Sequence, residues 1–175
     1  MSKKTEERYK SLPAGVRNNN YLNIKKSASK WKGTRLPERS HPFVEFVSPE
    51  WGYRAAFIIM AKTYRKRGLK KVSQIIAAWA PNSENNTAMY ISTVMAKLTL
   101  WLHLEKCTDY EMPDPVKFEP DKKWDSQGVK AQTAFRAWTS LARAMTMVEI
   151  GDKYAMQPAV PDYIVAGYKL FVETL

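Results

Sequence analysis

Arg17-Asn18-Asn19-Asn20-Tyr21-Leu22-Asn23-Ile24, followed by Trp31-Lys32-Gly33 and then Phe43-Val44-Glu45-Phe46-Val47-Ser48, is the stretch on which the fold turns. Consecutive asparagines disfavour helix and strand alike, because their amides bond to nearby backbone and fix turns. An alternating run follows, with Tyr21, Asn23 and Lys25 pointing one way and Leu22 and Ile24 the other. Phe43 to Val47 alternates again, with Val44 and Phe46 on one face. Two half-buried alternating runs separated by a basic stretch with Gly33 and Pro37 predict a small antiparallel β-hairpin lobe over residues 17–47.

Outward from this lobe the signals are helical. Ser48-Pro49-Glu50 is a helix start, with Ser as N-cap, Pro at the first helical position and an acid in the first turn. That helix runs to about Arg67, where Gly68 stops it, and Tyr53, Phe57, Met60 and Tyr64 form its apolar stripe. A second helix is expected over 70–79, a polar turn over 80–86, and a third helix to about Thr99. Residues 108–127, with three prolines and many charges, read as an irregular connector. The longest helix is expected over 128–150, stopped by Gly151, and a terminal one over 162–172. Residues 1–16 read as a polar arm or short helix ended by Pro13 and Gly15. The fold class is therefore mainly α with a small β-hairpin lobe (α+β). One domain is expected over 1–175, divided into an arm (1–16), the β-lobe (17–47), a helical core (48–107), the connector (108–127) and C-terminal helices (128–175).

Composition narrows the function classes. The chain of 175 residues has a formal net charge of +11. Residues 1–71 hold 18 Lys+Arg against 5 Asp+Glu, net +13, and the remainder 10 against 12, net −2. Such asymmetry suits a polyanionic partner: nucleic acid, lipid head groups or anionic cell-wall polymers. The basic residues are scattered over loops and helix rather than set on a nucleic-acid motif, which ranks nucleic acid low. No apolar run reaches transmembrane length and no hydrophobic segment follows Met1, so no signal peptide is expected. The single cysteine, Cys107, has no internal disulfide partner. His103 and Cys107 would supply two metal ligands at i, i+4, too few for a closed zinc site, and no metal or cofactor is expected.

One carboxyl stands out. At about 100° per residue, Glu149 lies within roughly 20–40° of Trp138, Ala142 and Met145, on the apolar face of the long helix and in its last turn. Desolvation and the C-terminal end of the helix dipole both favour its neutral form. A carboxyl kept protonated near neutral pH is what glycoside cleavage needs as general acid. A paired structural carboxylate is the competing role. For a second carboxylate, Glu45 ranks above Glu38.

The ordered series Asn-Asn-x-x-Asn-Ile-Lys, Trp-x-Gly, Phe-x-x-Phe-x-Ser and a Tyr-rich helix resembles the β-lobe of lysozyme-like peptidoglycan glycosidases, nearest the autolysin-type glucosaminidases. Arg-Asn-Asn-Asn-x-x-Asn-Ile also resembles phage and prophage proteins of Bacteroides-type hosts, often labelled virion structural proteins. The resemblance covers about Val16 to Val94 and returns at Ala144-Met145-Thr146-Met147-Val148-Glu149-Ile150-Gly151. This last segment resembles the acid-bearing helix that precedes the lobe in lysozyme-like enzymes. Its place at the other end of the chain implies a circularly permuted arrangement, and Ile150 departs from the usual small polar residue.

The resemblance implies a lysozyme-like hydrolase or lytic transglycosylase acting on peptidoglycan glycan strands, an endolysin or virion-associated lysin. Glu149 would be the acid and Glu45 the second carboxylate. Asn18, Asn19, Asn20 and Asn23 would bond sugar groups, and Trp31, Tyr53 and Tyr90 would line them. Such a protein would be made in the bacterial cytoplasm and act at the periplasm and cell wall or within a virion. The alternative is a non-catalytic virion structural or glycan-binding protein that contacts other virion proteins. A basic nucleic-acid-binding protein ranks third.

Overall fold

A computed structural model describes residues 3–37, 39–105, 109–117 and 126–175. The described residues are mainly helical. α1 spans Lys3–Lys10 and α2 Ala14–Arg17. α3 spans Pro49–Phe57 and continues as a π-helical segment over Ile58–Tyr64. α4 is Val72–Trp79, α5 Thr87–Leu102 and α6 Ser126–Ile150. α7 is Asp152–Ala155 and α8 Val160–Val172.

The helix starts follow the expected chemistry with small differences. Pro49 occupies the first turn of α3, but the Ser48 side chain makes no capping bond. At α5 the Asn86 side chain accepts from the Met89 N–H at 3.1 Å. Pro13 begins α2 rather than ending an arm. α5 ends at Leu102, and His103 follows in the left-handed conformation (φ 52°). His103 therefore lies beyond the helix; Cys107 and Glu38 lie outside the described residues.

α3 packs along α8, α5 along α6, and α6 also meets α8. Gly167 permits the close approach of α3 and α8: an added Cβ would lie 2.5 Å from Tyr53 Cβ and 2.9 Å from the Glu50 carbonyl. Around this crossing Phe57, Tyr168 and Phe171 form an aromatic cluster, with Phe57 and Tyr168 edge to face at 5.3 Å. Edge-to-face rings add electrostatic attraction to the burial of apolar area. Trp138 is fully buried, and its indole N–H donates to the Pro113 carbonyl at 3.1 Å. Of the predicted stripe, Tyr53, Phe57 and Met60 are buried, whereas Tyr64 is only half-buried.

The predicted β-hairpin lobe is not present as a sheet. Among the described residues, pairing over 17–47 is reduced to two isolated antiparallel bridges, Lys25 with Phe43 and Thr34 with Phe46. Asn20 supplies one reason. Its fully buried side-chain amide donates to the Ile24 carbonyl at 2.9 Å and to the Val44 carbonyl at 2.8 Å. Its Oδ1 accepts from the Ile24 N–H at 2.9 Å. A side chain thus takes the backbone groups that a longer ladder would use. Pro42 supplies another: it accepts from Lys26 N–H at 2.7 Å but has no N–H to return, so the ladder stops there. Leu22, Ile24, Val44 and Phe46 are buried as the alternation predicts, but Glu45, expected on the opposite face, is buried as well. The helices and the asparagine-held lobe do not by themselves establish a lysozyme-like fold.

Asn20→Ala leaves the Ile24 N–H and the Val44 carbonyl without their partner, while the Ile24 carbonyl keeps its bond from the Val44 N–H at 2.9 Å. At about 1–3 kcal/mol for each stranded group, partly offset by local relaxation, it should destabilise by about 3 kcal/mol. Asn19→Ala, which loses one bond to the Phe46 carbonyl (3.0 Å), should cost under half as much, as measured by urea unfolding.

Candidate functional site

The end of α6 meets the asparagine turn. Gly15 makes this possible, because a Cβ there would lie 2.8 Å from Ile150 Cγ2, and 2.9 Å from both the Asn20 carbonyl and Asn23 Oδ1. Asn23 adopts a left-handed backbone (φ 52°), a conformation asparagine tolerates better than most residues. That geometry aims its amide at α6, and Asn23 Nδ2 donates to Glu149 Oε2 at 2.9 Å. Tyr90, from α5, donates its hydroxyl to Glu149 Oε1 at 2.9 Å. The Trp79 indole N–H, at the end of α4, donates to the same carboxyl. One carboxyl thus gathers donors from the lobe and from two helices.

The balance of forces on Glu149 is a competition. Burial raises its pKa above the ordinary 4.5, and the bonds from Asn23, Tyr90 and Trp79 act the other way without cancelling it. Its position in the last turn of α6 also disfavours the anion. Glu149 is nevertheless only half-buried. It lines a cleft of about 570 Å³ whose walls are Ile24, Lys25 and Phe43 on the lobe side. Opposite them stand Tyr64, Trp79 and Pro81. The π-helical segment contributes Ile59 and Tyr64, whose hydroxyl donates to the Ala78 carbonyl at 3.1 Å. π-helical turns recur at functional sites because they re-aim side chains within a helix. Lys25 and Glu84 form an exposed ion pair that joins the two walls.

The structure brings only part of the sequence-derived set together. Asn23, Tyr90 and Glu149 meet. Asn18 and Asn20 are buried, and Asn20 spends its whole side chain on the lobe backbone. Asn19 bonds the Phe46 carbonyl. Tyr53 does not reach the cleft: it is 1 % exposed, and its hydroxyl is 2.9 Å from Thr146 Oγ1 inside the core. Trp31 lines a different pocket.

Glu45 is also elsewhere. It is buried, with Arg39 Nε at 2.7 Å from Oε1, Arg39 Nη2 at 2.5 Å from Oε2 and His41 Nε2 at 2.6 Å from Oε1. Burial pushes this carboxyl up, but the bonds and charges of Arg39 and His41 prevail and hold it below its ordinary value. Burial acts on both carboxyls, yet Arg39 and His41 hold one below its ordinary value and neutral donors leave the other raised.

The residues that sequence reasoning left outside the site set are Trp79, Tyr64, Phe43 and Glu84. Trp79-Ala80-Pro81 carried a signal, a large aromatic at a helix end before a polar turn. Tyr64 was hidden because the stripe assumes uninterrupted α-helical spacing. Among the described residues no group of three or more His, Cys, Asp or Glu is arranged to hold a metal. No described helix is long and apolar enough to cross a membrane.

No known family profile matches the chain. Protein P5 of Pseudoalteromonas phage PM2 is 41% identical over 86 residues, 47% of this chain and 54% of that protein. The chain spans about half the length of this curated relative. The likeness is to a phage protein, and not to a lysozyme-like family.

The two carboxyls should respond to pH with opposite signs. The folded pKa of Glu149 is raised, so its contribution is most favourable below its unfolded value and declines as pH rises through the folded value. Relative to Glu149→Gln, the wild-type chain should lose stability as pH climbs from about 4.5 and then level off. The folded pKa of Glu45 is lowered, so its stabilisation is complete above its unfolded value and is lost as pH falls through the folded one. Glu45→Gln should cost about 2–3 kcal/mol at pH 7 and progressively less in acid, followed by thermal unfolding across a pH series.

Proposed function

We propose that this chain is a phage-type protein that cleaves peptidoglycan glycan strands, with Glu149 as the general acid. The observation that supports the reading is the Glu149 carboxyl: raised by burial, half-exposed to a cleft, and held in one orientation by Asn23, Tyr90 and Trp79. A protonated carboxyl fixed beside a glycosidic oxygen can deliver its proton as the C–O bond breaks. Trp79, Tyr64 and Phe43 offer aromatic surface to sugar rings, and Asn85 and Lys25 offer polar edges.

Glu45, tied to Arg39 and His41, is not part of this cleft, and Glu84 within it is paired with Lys25. A single-carboxyl route follows. Glu149 protonates the leaving oxygen, then accepts the proton of the same sugar's C6 hydroxyl as that oxygen attacks C1. The product is an internal anhydro ring, with no water added. Hydrolysis would instead place one water across the broken bond, and product mass separates the two.

One observation favours a second reading. Both oxygens of Glu149 already accept bonds from the protein, as a purely structural clasp would. On that reading the chain is a non-catalytic virion component that keeps a glycan-binding cleft, and contacts with other virion proteins belong to it. Peptidoglycan is the partner in the first reading and an optional ligand in the second.

Glu149→Gln decides between them. If Glu149 is the acid, clearing of peptidoglycan in a zymogram should fall by about 10²–10⁴-fold with the fold retained. If wild type binds sacculi from several Gram-negative hosts but releases no fragments, the clasp reading stands. Tyr90→Phe adds a sharper test. It removes a donor that favours the anion, so the pKa of Glu149 should rise further. The alkaline limb of the pH–rate profile should move to higher pH, while a merely structural role predicts lower activity at an unchanged limb.

A further inference from the structure

The bridge between Lys25 and Phe43 is a partition with a pocket on each side. Along extended backbone, successive side chains face opposite ways. Lys25 and Phe43 line the Glu149 cleft, and their neighbours Lys26 and Val44 line a second pocket of about 600 Å³. The two pockets share no lining residue.

The chemistry of the second pocket differs from that of the first. Trp31 and Val44 give it apolar surface, Ser27, Ser29 and Thr34 give hydroxyls, and Lys26 and Lys30 give positive charge, with no acidic residue in the lining. Lys26 Nζ already donates to the Arg39 carbonyl at 2.6 Å. Lys30 is exposed and makes no ion pair among the described residues. An indole face supports the C–H face of a sugar ring, hydroxyls exchange hydrogen bonds with sugar hydroxyls, and an uncommitted ammonium pairs with a carboxylate.

We propose that this pocket is a second saccharide subsite, separate from the Glu149 cleft, that recognises an amino sugar by the carboxylate on its acyl branch. Trp31 supports the ring and Lys30 pairs with the carboxylate. The inference rests on the glycan reading above and supplies what the acid cleft lacks, a means of telling the acid-bearing sugar of a wall strand from its neutral neighbour. The carboxylate can be the lactyl acid itself or that of a peptide attached to it.

The test needs binding and no cleavage. In the ¹⁵N-labelled 175-residue chain, the Trp31 indole N–H resonance is assigned by its loss in Trp31→Phe. N-acetylmuramic acid, muramyl dipeptide and N-acetylglucosamine are then titrated separately. Either acidic probe should move the Trp31 resonance saturably, and whichever binds more tightly identifies the source of the carboxylate. N-acetylglucosamine should move it little. Lys30→Gln should weaken acidic binding by about five-fold, the worth of one exposed charge pair. Lys30→Arg should preserve it, and Glu149→Gln should leave it unchanged. Equal affinity for N-acetylglucosamine, shifts confined to the Trp79 indole, an unchanged Kd in Lys30→Gln, or no saturation with either acid would each overturn the subsite. Loss of clearing in wild type with this binding intact would overturn only the enzymatic reading.

Discussion

The Asn20 amide is the constraint on which the N-terminal half depends. A lobe with only isolated bridges satisfies part of its backbone through cross-segment bonds such as Val44 N–H to the Ile24 carbonyl, and buried backbone groups left unpaired are costly. Asn20 resolves this locally by bonding Ile24 on both its N–H and carbonyl and reaching Val44 as well. The two extended segments are thereby held at a fixed separation. Once they are, Leu22, Ile24, Val44 and Phe46 enter the core, and Asn23 is left at the rim facing α6. The position of the cleft is thus a consequence of how one side chain is spent three residues earlier.

Burial alone does not decide what a carboxyl does. Burial disfavours the charged form of both Glu45 and Glu149. Glu45 has a guanidinium and an imidazole, which compensate its charge as the lobe closes over it. Glu149 has an amide, a phenol and an indole, which orient it without supplying a full opposite charge. The first environment makes a fixed anion suited to holding a loop. The second makes a carboxyl for which either protonation state is accessible, the property that acid catalysis exploits.

Much of this arrangement was legible in the sequence wherever periodicity or capping chemistry governs. The start of α3 at Pro49 and the stop signal at Gly68 follow from local rules, as does the polar turn before α5. So does the inward aspect of Glu149, since a seven-residue step on a helix returns nearly to the same face. The lobe was misread as a hairpin because alternation reports which side chains are buried, not which backbone groups pair. Tyr53 and Tyr64 exchanged expected environments for a related reason. An apolar stripe does not show where a neighbouring helix will cover it. α8 covers Tyr53 through the close contact at Gly167, and the π-helical segment leaves Tyr64 beside the cleft. Trp31 and the Glu149 cleft were assigned together because nothing in spacing reveals that a two-residue bridge stands between them.

The bond between Asn23 and Glu149 spans 126 positions of chain. Contacts of such separation carry a large loop-closure cost and are not made by local order alone. The helices have local hydrogen bonds of their own, but the Asn23 contact exists only once the N-terminal lobe has docked on the end of α6. Detachment of that lobe would dismantle the cleft while leaving the α3–α8 and α5–α6 pairs in place. The site therefore depends on the docking of the lobe, and local opening of that lobe on heating would abolish the cleft before the helical signal collapses.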